Sequence, residues 1–139
     1  VVGTNTFYVK KYKKISSSNL PLLDKEIRKK ILFSNPFIHS SIMFNKKYLK
    51  TYDVNYLKCQ DYDAWLKLSL NKNLKFRNIY RKLTYHSLDK SLSPQSILDE
   101  LKIRFKHLKH LGLVKFIISF FYIFYSILVL FYKFVIKKK

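Results

Sequence analysis

The residues of this chain best suited to chemistry lie in Cys59-Gln60-Asp61-Tyr62-Asp63-Ala64-Trp65-Leu66-Lys67-Leu68. Two of only eight acidic residues stand there, two positions apart, in a chain of formal net charge +20. Tyr62, Trp65, Leu66 and Leu70 keep the spacing of a helix with one buried face, which puts both carboxylates at its head. A carboxylate at that position has two possible roles. It can cap the helix, favoured by the positive end of the helix dipole. It can instead take the proton from an attacking hydroxyl, if a cleft lies before it. Asp61-Tyr62-Asp63 also spells an Asp-x-Asp triplet, but side chains two apart on a helix point about 200° away from each other and do not chelate one ion.

Several elements must position that helix. Residues 1 to 14 alternate loosely around Val2, Phe7 and Val9 and then turn basic, which predicts a strand running into a surface turn. Ser16 to Pro21 reads as a polar linker. Asp24 is placed to cap a short helix carrying Ile27, Ile31 and Leu32, which must end near Asn35-Pro36 because the residue before proline avoids helical angles. Ile38 to Phe44 alternates as a strand, with Ile38, Ile42 and Phe44 on one face and His39, Ser41 and Met43 on the other. Asp53 to Gln60 reads as a loop, and Leu74 to Tyr85 as one or two strands.

Ser93-Pro94 then opens a second helix, residues 93–112, with an N-cap and a proline at the first position. Its apolar stripe is Ile97, Leu101, Phe105 and Leu108, opposite Lys102, Lys106 and Lys109, and Gly112 is a natural stop. His107 and His110 lie three apart on this helix and read as interface residues, since no Cys or acid stands near them to complete a metal site. Phe116 to Tyr132 is 17 uncharged residues between Lys115 and Lys133. With its apolar flanks it spans residues 113–136, roughly 36 Å of helix, enough to cross a bilayer. Residues 137–139 form a lysine tail. The hydrophobic segment reads as a membrane helix, with burial against a partner as the alternative.

A chain of 139 residues holds at most one domain. Its 28 basic against eight acidic residues imply an anionic partner, and 12 Phe with 11 Tyr exclude a disordered basic tail. The single cysteine, Cys59, excludes an internal disulfide and fits a reducing compartment. Val1-Val2-Gly3-Thr4 reads as an interior strand with no signal peptide before it, so the chain is expected to be the C-terminal piece of something longer.

Three segments in order carry a resemblance: Ser34-Asn35-Pro36-Phe37-Ile38-His39-Ser40-Ser41-Ile42-Met43-Phe44, the Asp61 helix, and Leu74-Lys75-Phe76-Arg77-Asn78-Ile79. Together they resemble the acceptor half of the family 2 glycosyltransferases that build bacterial surface polysaccharides. The likeness covers about residues 1–92. It implies an α/β fold: the C-terminal part of a GT-A, nucleotide-diphospho-sugar transferase fold, followed by the amphipathic helix and the membrane helix. It implies transfer of a sugar from a nucleotide-sugar donor to a saccharide or lipid-linked acceptor, with Asp61 as general base. Gln60 stands where the family usually carries Glu, one carboxylate fewer beside the base.

The resemblance further implies acceptor contacts for His39, Ser41, Asp63 and Trp65. For His39 the alternative is a hydrogen-bonded histidine under a loop, for Asp63 a polar group at the helix start, and for Trp65 the core. His86, beside Tyr85, keeps part of a diphosphate-binding pattern. A divalent metal, Mg or Mn, is expected in the intact enzyme with its ligands outside this chain, so the chain alone is expected to be inactive. The implied partners are the donor, the acceptor and an anionic membrane, with no nucleic acid, and the implied place is the cytoplasmic face of the cell membrane. The rival reading is a non-enzymatic basic membrane protein that binds anionic lipid or nucleic acid.

Overall fold

A computed structural model describes residues 1–87 and 93–107, together with Ile117, Phe120, Phe121, Phe124, Tyr125, Ile127, Leu128 and Phe131. Strand β1 (Val2–Lys10) turns at Lys11-Tyr12 into β2 (Lys13–Ser17). Helix α1 (Asp24–Lys30), helix α2 (Gln60–Ser69), strand β3 (Arg77–Ser87) and helix α3 (Pro94–Lys106) follow. The sheet has the order β2-β1-β3, with β2 antiparallel and β3 parallel to β1. A parallel neighbour needs a long return path, and the segment holding α1 and α2 supplies it.

This architecture corrects the expected fold. The described residues form a small mixed α/β unit of three strands and three α-helices, not part of a GT-A fold followed by a membrane helix. No described helix is long and apolar enough to cross a membrane. Most of the expected 113–136 span lies outside the described residues, as do residues 108–112 of the basic helix and the lysine tail.

One reason the sheet stays small is local. The expected strand from Ile38 to Phe44 is instead a 3₁₀ turn at His39–Ser41, followed by a single bridge from Met43 to Val2. A second such turn follows at Lys46–Tyr48, where Asn45 accepts a hydrogen bond from the Lys47 N–H through its side chain. Asparagine offers the backbone that alternative to a ladder partner, and extension stops there.

The core lies between the helices and the loops that join them. Ile27 and Ile31 of the α1 segment, Phe37, Phe76 and Ile103 pack with Tyr62, Trp65, Leu66 and Leu68 of α2. Each such side chain contributes roughly 1.5–3 kcal/mol on burial. Two arginines bind the helices together. Arg28 pairs with Asp24 at 2.9 Å and donates to the carbonyls of Ser69, Asn71 and Leu74, closing the C-terminal end of α2. Arg104 of α3 pairs with Glu100 and donates to the carbonyls of Leu32 and Phe33 just beyond α1.

Asp24 begins α1 as its first residue and not as its cap, and its carboxylate also receives the Phe76 N–H at 2.8 Å. Burial alone would raise its pKa, but the Phe76 and Arg28 hydrogen bonds prevail and hold it below the ordinary value.

The middle of β1 is buried and polar because its pairing with β3 slips there. The register shifts on both sides of Asn5, which leaves ladder groups without partners. The Asn5 side chain supplies them: its amide donates to the Tyr80 carbonyl, and its oxygen accepts from Ser18 Oγ and the Leu20 N–H. All three contacts lie between 2.8 and 3.1 Å.

Helix α3 starts as the sequence implies, with Ser93 as N-cap and Pro94 at the first position. Its packed face differs from the apolar stripe. Asp99, Ile103, Arg104 and His107 are buried, while Phe105 is 54% exposed. Polar groups tolerate that burial because each finds a partner on another element: Asp99 accepts the Lys58 N–H, and His107 meets Asp63.

Candidate functional site

Helix α2 begins abruptly. Its N-cap, Cys59, adopts a left-handed conformation at φ 60°, which no glycine relieves. That turn delivers Gln60 and Asp61 to the start of the helix. Gln60 folds back to donate to the Tyr56 carbonyl at 2.7 Å. Asp61 receives the Asn35 amide at 2.6 Å on one carboxylate oxygen. Asn35 is itself fixed, because its carbonyl oxygen accepts the Phe37 N–H across Pro36 at 3.1 Å. The second oxygen of Asp61 accepts no hydrogen bond from the described residues.

Before that carboxylate lies a pocket of about 290 Å³, lined by His39, Tyr52, Asp53, Val54, Gln60 and Asp61. His39 enters it from the 3₁₀ turn, with its ring edge-on to Tyr52 at 5.6 Å and tilted on Trp65 at 6.3 Å. No described residue hydrogen-bonds its ring nitrogens. Burial raises the Tyr52 pKa, and the nearby Asp61 charge adds to that shift, so the phenol keeps its proton. The pocket therefore offers an open carboxylate oxygen, an open imidazole, a phenol and an amide. Such a set can bind hydroxyl groups and accept a proton from one of them.

The other expected site residues do not join Asp61 and His39 there. Ser41 is committed to the sheet: its hydroxyl accepts the Thr4 N–H at 3.2 Å and lies 2.8 Å from the Ile38 carbonyl. Trp65 is fully enclosed and packs against Phe37 and Phe44, each at 5.7 Å, so no ring face remains for a sugar. His86 stands exposed on β3, edge-on to Tyr8 at 6.1 Å, and does not line the pocket.

Asp63 turns the other way, as two residues on a helix must. It is buried, and it binds His107 Nε2 at 2.9 Å and Lys106 Nζ at 3.1 Å. Burial would raise its pKa, but the His107 and Lys106 hydrogen bonds outweigh that and hold it below the ordinary value. Lys106 also bridges to Asp53 at 2.9 Å. Burial opposes its charge, yet the two carboxylates raise its pKa. A second cavity of about 220 Å³ borders this cluster, and it shares Tyr52 and Asp53 with the first. The cluster thus ties α2 and α3 to the Tyr52-Asp53 segment that walls both pockets.

In the sequence Asn35 reads only as the stop of the first helix, Tyr52 and Asp53 have no place in a site, and nothing pairs Asp63 with His107. Only Asn35-Pro36 carried a signal, as a turn dipeptide that frees an asparagine side chain for a nearby partner. Among the described residues, no group of three His, Cys, Asp or Glu converges as a metal site would require. Comparison of the chain with protein-family models, with curated proteins and with solved structures found no match.

Proposed function

We propose that this chain forms the acceptor side of a sugar-transfer site, with Asp61 as the base that takes the proton from an attacking saccharide hydroxyl. The observation that carries the reading is the Asn35–Asp61 contact at the edge of the His39 pocket. A base must hold one lone pair toward its substrate while the rest of the carboxylate is fixed, and the Asn35 amide fixes the other oxygen. As the acceptor oxygen bonds to the anomeric carbon, its proton passes to Asp61 and the nucleoside diphosphate departs with the electron pair of the broken bond. His39 and Tyr52 would hold neighbouring hydroxyls.

Sugar transfer from a panel of nucleotide-sugars with Mn²⁺ tests this, in a protein that joins this chain to a nucleotide-sugar-binding domain. Asp61→Asn preserves volume and the oxygen that accepts from Asn35, so the fold and donor affinity stay and turnover falls about 10²–10⁴-fold. Near-normal turnover would leave Asp61 only as the partner that ties Asn35 to the head of α2.

The non-enzymatic reading retains one specific support. The three strands and the β1–β2 turn carry seven Lys or Arg and no Asp or Glu.

A further inference from the structure

We propose that the tip of the β1–β2 hairpin is a docking surface for an anionic phospholipid bilayer, whether or not the chain takes part in sugar transfer. The tip reads Lys10-Lys11-Tyr12-Lys13-Lys14, and Lys10 pairs with Lys13 across a two-residue loop. Both loop residues have positive φ, 46° at Lys11 and 65° at Tyr12. That is the signature of a type I′ turn, whose central positions normally go to Asn-Gly because side chains are strained there. The chain places a lysine and a tyrosine instead.

Nothing among the described residues accounts for that choice. Tyr12 is fully exposed, at 104% of its reference area, and has no ring contact with another described residue. Ile15 follows it, 52% exposed. A strained, solvent-projecting aromatic between paired lysines is explained by what it meets outside the molecule.

The charge selects the partner. Four lysines in five residues stand on a sheet whose only ionised groups are basic: Lys10, Lys11, Lys13, Lys14, Arg77, Arg81 and Lys82. Lys14 lies 3.5 Å over the Phe7 ring, and Lys82 stands over both Phe7 and Tyr80, so among the described residues these cations have aromatic neighbours and no carboxylate partner. Clusters of this size bind anionic headgroups, and tyrosine favours the headgroup layer, where its ring is buried and its hydroxyl stays wet. A nucleic acid would meet the same lysines, but a lone tyrosine on a narrow turn offers no platform for successive bases.

The test is co-sedimentation of the full chain with phosphatidylcholine vesicles, with and without phosphatidylglycerol. The parent should prefer the anionic vesicles, and the preference should fall with salt. Lys10→Gln, Lys11→Gln, Lys13→Gln and Lys14→Gln together should weaken partitioning onto anionic vesicles about 10²–10³-fold. Lys11→Asn with Tyr12→Gly makes an ideal I′ turn, so its denaturation midpoint should match or exceed the parent's while its anionic-vesicle affinity drops. Three results each overturn the proposal: no preference for anionic vesicles in the parent, unchanged partitioning in either variant, or poly(dT) outcompeting the vesicles for the hairpin lysines.

Discussion

Asn35 and Asp61 are 26 residues apart in sequence and 2.6 Å apart at the edge of one pocket. The contact links the turn after α1 to the head of α2, and it leaves one carboxylate oxygen open. Asn35→Ala removes a hydrogen bond to a charged group and the Phe37 N–H acceptor together. Urea denaturation should show a loss of about 1–2 kcal/mol, the lower part of the range for charged hydrogen bonds because the site is only partly buried.

Asp63 is expected to be a stability residue with a pH signature. Its folded pKa lies below the ordinary 3.8, so its stabilisation is present above that value and is lost as pH falls through the folded pKa. Asp63→Asn removes the buried charge that His107 and Lys106 bind, and should cost about 3 kcal/mol at neutral pH. In melts across pH the gap between parent and variant should narrow as pH falls below 3.8 and close once pH passes the lower folded pKa, where the parent carboxylate is protonated too.

Gly3 is expected to resist any side chain. A Cβ there would collide with Asn78 Oδ1 and come within 3.0 Å of the Phe37 ring. Neither neighbour is free to move. Asn78 is buried and donates to the carbonyls of Pro21 and Pro36, and Phe37 belongs to the core. Gly3→Ala should destabilise by about 1–3 kcal/mol in urea unfolding, the range for overpacking a closed site.

Cys59 is expected to be inert while the chain is folded. Burial, chiefly, with the charges of Glu100, Asp61 and Asp99, pushes its thiol pKa up to about 12. Its Sγ also contacts the Ser96 carbonyl at 3.5 Å. Iodoacetamide at pH 8 should therefore label the native chain far more slowly than the urea-unfolded chain. Equal rates would show the thiolate to be accessible in the native state.

What the sequence disclosed was local. The Ser93-Pro94 start of α3 and the acids at the head of α2 follow from capping and dipole rules, and both were legible. The packed face of α3 was not. Period counting favoured Ile97, Leu101 and Phe105, whereas Arg104 and Asp99 are buried because Arg104 donates to the carbonyls of Leu32 and Phe33 and Asp99 accepts from the Lys58 N–H. Those partners lie between 41 and 72 residues away in the chain. The surface turn after β1 was legible, but the return strand β2 was not, because Lys11-Tyr12 carries none of the residues that announce a tight hairpin. In the pocket, Asp61 and His39 were legible as residue types. Tyr52 and Asp53 were not, since only the return of their loop brings them to the wall.

Saturation-transfer NMR with a panel of oligosaccharides tests the acceptor pocket most directly on this chain itself. Saturation should pass from the protein to a saccharide in the parent and in the hairpin lysine variant. It should be lost in His39→Ala and strongly reduced in Asp61→Asn, with both variants still folded by circular dichroism. If no saccharide receives saturation, or if transfer persists unchanged in both pocket variants, the pocket between His39 and Asp61 is not an acceptor site.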